Sequence, residues 1–310
     1  MLNNHLIGFE TWQSDDIYAL IDKSIFYKNN EKSVFDLDLA GQSWVLLFEK
    51  ASTRTKISFE IGLQKLGMHS IYNDYQNGSI VAREAAGDLA KNLSCWSDGI
   101  VVRANSHELL CELAAHSQIP VINALCDRYH PCQALADFQT LAELGLLNDS
   151  SHVVYVGDGN NVCHSLMQLA CVFSVNLSVV TPEGYEPDWS VLDFCDSKGL
   201  NKTVKLYYSI DGLAEADAVY TDTWVSMGSE VDHKRVHETF ANYQVNDALM
   251  SQLKAKYFMH CQPLKRGLEV TSSIADGNCS VIYQQATNRL WSQMAVITAL
   301  NTSSSKGETN

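Results

Sequence analysis

The stretch Phe48–Leu66, FEKASTRTKISFEIGLQKL, connects an apolar run to a helical pattern. The run before it, Trp44–Phe48, is typical of a buried strand. Three apolar residues then recur at helical spacing: Phe59, Leu63 and Leu66. The sequence therefore predicts a strand, a short loop and a helix that begins just after Ser52.

The junction between this strand and helix carries hydroxyls and a guanidinium, on Ser52, Thr53, Arg54 and Thr55. Free N–H groups and the helix dipole favour an anion at such a helix N-terminus, so the junction is a candidate phosphate site. An ordinary Ser/Thr cap beside a solvent-exposed arginine explains the same residues. The loop alone leaves both interpretations open.

Composition narrows the class of protein. The chain has 310 residues, is 46% apolar and carries a formal net charge of -14. This length suits one large α/β unit or two domains. The negative charge disfavours nucleic acid and anionic membrane surfaces as partners, and it means that local basic groups must create any anion site.

The nine cysteines are scattered singly, without zinc-finger spacing. We therefore expect reduced thiols, a cytoplasmic protein and no bound metal. The first five residues lack the basic and apolar regions of a signal peptide. No apolar run approaches the roughly 18 residues that a membrane span requires.

Strand-like and helix-like segments alternate along the chain. This pattern predicts an α/β protein of two domains, each a parallel β-sheet flanked by helices. The predicted strands are 44–48, 69–72, 99–103, 120–124, 152–156, 175–181, 205–209, 218–221, 257–260 and 281–284. The predicted helices begin near 14, 53, 84, 106, 131, 164 and 288, and 29–42 is expected to be a loop. The predicted domains are 1–147, completed by a helix at 288–301, and 148–287, followed by a flexible tail at 302–310.

Polar residues follow several of these strands, where ligands bind in open α/β sheets. Arg103, Gly157–Asn161, Asp222 and Cys261 hold such positions, and His130 opens a helix. Each has a structural alternative: a surface ion pair for the arginine, a helix cap or core role for the histidine, and a packed thiol for the cysteine. Gly157-Asp158-Gly159 lacks the third glycine of a dinucleotide fingerprint. A carboxylate at a buried strand end requires a partner, and a ligand ammonium is one candidate.

The candidate groups fall into two sets. The first half of the chain offers an anion cradle: Ser52, Thr53, Arg54, Thr55 and Arg103. The second half offers groups that suit a zwitterion: Asn161, Asp222 and Ser226. With His130, Gln133 and Cys261 expected between them, the sequence predicts a two-substrate transfer site without a cofactor.

Several motifs in order resemble the aspartate/ornithine carbamoyltransferase family over nearly the whole chain. They are Phe48-Glu49-Lys50-x-Ser52-Thr53-Arg54-Thr55, Arg103, His130-Pro131-Cys132-Gln133, Asp222-Thr223-Trp224-Val225-Ser226-Met227-Gly228, His260-Cys261-Gln262-Pro263, Arg266-Gly267-x-Glu269-Val270-Thr271 and Asn288-Arg289. The segment after Asp222 points to ornithine rather than aspartate.

The resemblance implies transfer of a carbamoyl group from carbamoyl phosphate to the δ-amine of L-ornithine, giving L-citrulline and phosphate. It assigns carbamoyl phosphate to Ser52, Thr53, Arg54, Thr55, Arg103, His130, Gln133, Cys261, Gln262 and Arg289. It assigns ornithine to Asn161, Asp222, Ser226 and Met227, and catalytic roles to Arg103, His130 and Cys261. It also implies a homotrimer and a lid at 226–237.

Some residues depart from the family pattern. Lys56 replaces an arginine, and Ser79–Ala82 lacks the glutamine that reaches a neighbouring site, a role that Gln76 could fill. The other departures are Gln262, Gln284, Thr287 and Trp291. Because Gln284 and Thr287 replace carboxylates, we expect Arg289 to be less firmly oriented and the enzyme to be weaker. A carbamoyltransferase for another amine, a non-catalytic paralogue and a dehydrogenase remain alternatives.

Overall fold

The computed structural model describes residues 4–37, 39–75, 78–224 and 233–304. The chain forms two compact units: Met1–Gln139 with Asn288–Asn310, and Thr140–Thr287. Both boundaries lie inside helices, because one helix spans Pro131–Glu143 and another spans Ile282–Ser304. Each unit contains one five-stranded sheet flanked by helices, and every strand pair is parallel. The predicted α/β class with two parallel sheets is confirmed.

The sheet of the first unit has the order β1-β5-β4-β2-β3. Its strands are β1 (His5–Leu6), β2 (Ser43–Phe48), β3 (His69–Asp74), β4 (Gly99–Arg103) and β5 (Val121–Leu125). The central strands β2 and β4 are almost entirely buried and apolar, as expected for a parallel sheet covered on both faces. In register, Phe48 lies beside Arg103, so the opening loop and this arginine leave the same edge of the sheet.

The sheet of the second unit has the order β10-β9-β6-β7-β8. Its strands are β6 (His152–Val156), β7 (Asn176–Val180), β8 (Val204–Tyr207), β9 (Ala218–Thr221) and β10 (Tyr257–His260). The neighbours β6, β9 and β10 end in register, at Val156, Thr221 and His260. The residues that follow these strands therefore meet at one edge.

Most helices lie between strands along the chain, and the last two follow β10. The helices are α1 (Ser14–Asn29), α2 (Thr53–Lys65), α3 (Ala86–Ser94), α4 (His107–His116), α5 (Pro131–Glu143), α6 (Asn161–Val172), α7 (Asp193–Lys198), α8 (His233–Phe240), α9 (Asp247–Gln252), α10 (Ser272–Ala275) and α11 (Ile282–Ser304). Short 3₁₀ helices occur at Glu31–Asp36, Trp189–Leu192 and Ala241–Tyr243.

Several predicted elements need correction. The predicted strand at 281–284 is wrong, because Ile282 begins helix α11. A short apolar run fits a buried strand and a buried helical turn equally well. The expected loop at 29–42 contains a 3₁₀ helix, and the cap of α1 is Gln13 rather than Ser14. Helix α11 continues to Ser304, so the first three residues of the predicted tail are helical.

Candidate active site

The loop after β2 caps helix α2 through Ser52 and is followed by the exposed guanidinium of Arg54. Ser52 has extended backbone angles, and its hydroxyl accepts the Thr55 N–H at 3.4 Å, so it is the N-cap of α2. Thr55 is buried, whereas Arg54 lies exposed on the first turn. The cap interpretation is therefore correct as a description of Ser52, and it leaves Arg54 available to an anion at this N-terminus.

Arg289 connects three helices of the first unit. Its Nη1 donates to Gln133 Oε1 at 2.8 Å, and its Nη2 donates to Thr55 Oγ1 at 3.2 Å. Gln133 in turn donates from Nε2 to Asp137 Oδ1 at 2.8 Å. These bonds bring residues of α2, α5 and α11 together although they lie far apart in sequence.

The charges of Arg289 and Arg54 act on the guanidinium of Arg103. The pKa of Arg103 is lowered from 12.5 to about 10, first by burial, then by the charges of Arg289 and Arg54. The pKa of the buried His130 is lowered well below 6.5 by burial and by the charges of Arg289 and Arg103. The imidazole is therefore neutral at pH 7, and the surplus positive charge around it favours an anion.

Glu49 holds the backbone beside this cluster. Its carboxylate is buried and accepts the N–H groups of Ile80 at 2.9 Å and Asn105 at 2.7 Å. The Glu49 N–H donates to the Arg103 carbonyl at 2.9 Å. One carboxylate therefore connects the opening loop to the segments that follow β3 and β4.

In the second unit, Asp222 and Cys261 follow the neighbouring strands β9 and β10. The Cys261 thiol donates to Asp222 Oδ1 at 2.9 Å, and the Thr223 N–H donates to the same oxygen at 2.7 Å. Asn160 Nδ2 donates to Asp222 Oδ2 at 2.8 Å. The buried carboxylate thus has protein partners, which a carboxylate at a strand end requires.

The Gly-x-Gly segment after β6 has structural reasons for both glycines. Gly157 has φ +145, which side-chain-bearing residues rarely adopt. A Cβ on Gly159 would lie 2.2 Å from the Pro187 nitrogen, so only glycine fits. The glycines therefore serve the turn and its packing, which removes the main support for a dehydrogenase. Asn161 is the first residue of α6 and lies half-buried.

Two carboxylates lie near each other at this edge. The pKa of Asp158 is raised from 3.8 to about 7 by burial and by the charge of Asp222. The same region raises the pKa of the buried Tyr155 well above 10, mainly through burial. The negative potential at the ends of β6 and β9 would suit a ligand ammonium.

The His260 side chain contacts both the backbone and the Glu269 side chain of the segment that follows β10. The Gln262 N–H donates to His260 Nδ1 at 2.8 Å, and His260 Nε2 lies 3.4 Å from a Glu269 oxygen. Asp222, His260 and Cys261 each place one possible metal-ligating atom within 4.8 Å of the others. Because the two nitrogens of His260 face Gln262 and Glu269, we retain the expectation of no metal as a prediction.

The departing residues have partners of their own. Lys56 Nζ lies 3.8 Å above the centre of the Tyr72 ring. Gln284 Nε2 donates to Glu143 at 2.8 Å, and the Thr287 hydroxyl donates to the Tyr283 carbonyl at 2.9 Å. Arg289 nevertheless keeps its hydrogen bonds to Gln133 and Thr55. Ser226, Met227, Gln76 and part of the expected lid lie outside the described residues.

Glu49 and Asp137 were missed as site residues by the sequence reasoning, whereas Asn160 lay within the candidate segment Gly157–Asn161 without a role of its own. Its role as a cap could have been predicted, because asparagine is a favoured N-cap and this one precedes a predicted helix. Asp137 is four residues after Gln133, a spacing at which helical side chains meet. Nothing local marks the contact of Glu49 with Ile80.

Two family models match consecutive parts of the chain. The carbamoyl-P binding domain of aspartate/ornithine carbamoyltransferase matches residues 4–143, and the Asp/Orn binding domain matches residues 149–300. The chain belongs to the aspartate/ornithine carbamoyltransferase family. An ornithine carbamoyltransferase of Shewanella oneidensis is 48% identical over 264 residues, which cover 84% of this chain and 88% of that protein.

Solved structures of this carbamoyltransferase family share the fold. Ornithine carbamoyltransferase from Pyrococcus furiosus is 36% identical with a TM-score of 0.87, and the match covers 96% of each chain. That of Thermus thermophilus is 35% identical with a TM-score of 0.84, covering 97% of this chain and 99% of the other. The helices in the described part of this chain are all too short or too polar to span a membrane.

Proposed function

We propose that this protein is an ornithine carbamoyltransferase, which transfers the carbamoyl group of carbamoyl phosphate to the δ-amine of L-ornithine. The observation that carries the proposal is the Arg289 fork, which joins Thr55 to Gln133 beside two further guanidiniums. The names of the relatives reported above support ornithine as the acceptor. The supporting residues lie in both units of the chain.

We propose that residues 1–147 and the helix at 288–301 bind carbamoyl phosphate. The hydroxyls and N–H groups of Ser52–Thr55, with Arg54, would hold the phosphate. Arg103, His130 and Arg289 would donate hydrogen bonds to the carbonyl oxygen, and Gln133 would orient the carbamoyl NH₂. Because His130 is neutral, it would stabilise the developing oxyanion without transferring a proton.

We propose that residues 148–287 bind ornithine. Asp222 would accept hydrogen bonds from the α-ammonium, and Asn161, Ser226 and Met227 would hold the rest of the amino-acid end. The negative potential of Asp158 and Asp222 supports a cationic ligand group here. Cys261, bonded to Asp222, would place the δ-amine and assist its deprotonation.

The reaction follows from these roles. The neutral δ-nitrogen attacks the carbonyl carbon, and a C–N bond forms while the carbonyl oxygen becomes an oxyanion. The C–O bond to phosphate then breaks, the carbonyl returns, and inorganic phosphate leaves with its electron pair. The nitrogen passes its extra proton to the departing phosphate, and citrulline and hydrogen phosphate result. Holding two substrates in register supplies much of the acceleration.

A citrulline assay with carbamoyl phosphate and ornithine tests the proposal directly. We expect citrulline and phosphate in equal amounts, with no turnover of putrescine or an N-acylated ornithine at comparable concentrations. Turnover of another amine alone would identify a different carbamoyltransferase. Binding of both substrates without any product would identify a non-catalytic paralogue.

The cellular setting is part of the same proposal. We propose a cytoplasmic homotrimer that serves arginine biosynthesis, which the resemblance and the reduced thiols support. The nine cysteines all lie within the described residues, and none of them forms a disulfide there. Light scattering of the purified protein would give the mass of the assembly, and a monomeric mass would contradict the trimer.

A further inference from the structure

Asn160 precedes helix α6 and caps it. Its Oδ1 accepts the N–H groups of Val162 at 2.9 Å and Cys163 at 3.1 Å, which satisfies two donors at the helix N-terminus. Because two N–H groups face this oxygen, the amide nitrogen must point the other way. It points at Asp222, whose Oδ2 it reaches at 2.8 Å.

The cap alone does not explain an asparagine. Serine and aspartate cap helices as well as asparagine does. The amide of asparagine accepts from the helix through its oxygen and donates to a carboxylate through its separate nitrogen, whereas serine has one hydroxyl for both tasks and an ionised aspartate has no donor. The residue type at position 160 therefore fits a link between α6 and Asp222, in addition to a cap.

The link completes the fixation of Asp222. Oδ1 accepts from the Thr223 N–H and the Cys261 thiol, and Oδ2 accepts from Asn160. The first two donors hold one oxygen, so the carboxylate plane is set only when the second oxygen is also held. Asn161 is the next residue and the first of α6, so the same amide fixes Asp222 relative to Asn161.

We propose that Asn160 is a positioning residue that holds Asp222 and Asn161 in one rigid frame for the amino-acid end of the substrate. This inference rests on the proposed function, which assigns ornithine to Asp222 and Asn161. In this frame Asn160 acts through Asp222 and Asn161 and not on the reacting groups. Its effect is therefore expected in the KM for ornithine and not in the KM for carbamoyl phosphate.

Asn160→Ser tests the link, because serine keeps a cap oxygen, while its shorter side chain places the hydroxyl one bond further from Asp222 than the amide nitrogen of asparagine. A hydrogen bond to a charged group contributes enough that its loss should raise the ornithine KM by about tenfold or more. Asn246→Ser is the matched control, since Asn246 caps α9 through the Leu249 N–H at 3.0 Å. We expect this control to keep the wild-type ornithine KM. If Asn160→Ser folds poorly, Asn160→Thr offers the same loss with another cap hydroxyl.

A double-mutant cycle with Asp222→Ala separates positioning from capping. The cycle is measured as kcat/KM with ornithine limiting, so that weak binding does not prevent the measurement. If Asn160 acts through Asp222, Asn160→Ser should lower kcat/KM about tenfold in the wild type and less than twofold in Asp222→Ala. An equal loss in both backgrounds, or an unchanged ornithine KM in Asn160→Ser, would overturn the inference. Wild-type protein that makes no citrulline would instead overturn the proposed function, and the ornithine frame with it.

Discussion

Replacing Arg103 with methionine should stabilise the unliganded protein while abolishing its activity. The pKa of this arginine is lowered from 12.5 to about 10, which means that its charge is less favourable in the folded chain than in the unfolded one. The causes are burial and the nearby charges of Arg289 and Arg54. Its Nε is also buried, with no hydrogen-bond acceptor in the part of the chain that the structure describes.

The sign and size follow from linkage. For a base whose pKa falls on folding, the cost to stability is fully present below the folded pKa and disappears as the pH rises through the unfolded pKa. At pH 7 the whole cost applies, and the lowering corresponds to about 3 kcal/mol as an upper bound. Methionine has similar length and no charge, so the free energy of unfolding should rise by about 1–3 kcal/mol.

The assay is chemical denaturation of the wild type and Arg103→Met at fixed protein concentration, at pH 7 and low salt. Salt screens repulsion between the guanidiniums, so raising the ionic strength should stabilise the wild type more than the variant. Carbamoyl phosphate should stabilise the wild type through binding, and the variant much less. Arg266→Met is the control, because Arg266 pairs with Asp276 at the surface and its loss should change the midpoint little. An Arg103→Met protein that unfolds before the wild type at low salt would refute the reasoning.

Further outcomes follow from the same charges. Arg54→Ala should abolish citrulline formation and leave the melting temperature unchanged, because Arg54 is exposed on the first turn of α2; near-normal activity would contradict the phosphate assignment. Asp158→Asn should stabilise the protein at pH 8 by about 2 kcal/mol more than at pH 5.5. The reason is that an acid whose pKa is raised in the folded state costs stability as the pH rises toward that pKa. Denaturation midpoints that shift equally at both pH values would count against this prediction. Lys56→Met should lower the free energy of unfolding by about 0.5–1 kcal/mol through loss of its contact with Tyr72. The same change should raise the carbamoyl-phosphate KM far less than loss of Arg54 does. A comparable rise would give Lys56 a direct role in binding.

Much of the fold was predictable because its signals are local. Buried strands such as Gly99–Arg103 and Ala218–Thr221 are short apolar runs that end in polar residues, and both bounds are confirmed. The start of α11 was not predictable in this way, since Val281–Gln284 fits either a strand or a helix. Its helical state depends on the packing of the whole of α11, which no short window contains.

The candidate site was also predictable only in part. Its residues could be predicted from the sequence, because chemically distinctive groups at strand ends are few. Their connections were not, since the bond between Thr55 and Arg289 joins residues that are 234 positions apart. Asn160 illustrates the difference: its cap is a local pattern, whereas its bond to Asp222 requires β6 and β9 to be neighbours in the sheet.

Like charges are concentrated in both units, with opposite sign. In the first unit, burial and the charges of Arg289 and Arg54 lower the pKa of Arg103, and burial with the charges of Arg289 and Arg103 lowers the pKa of His130. In the second, Asp222 raises the pKa of Asp158. Each arrangement costs stability in the free protein, and each is relieved by a ligand of the opposite charge. A net charge of -14 is therefore compatible with an anionic substrate, because the field that the substrate meets is set by the few groups around Arg103 and not by the total.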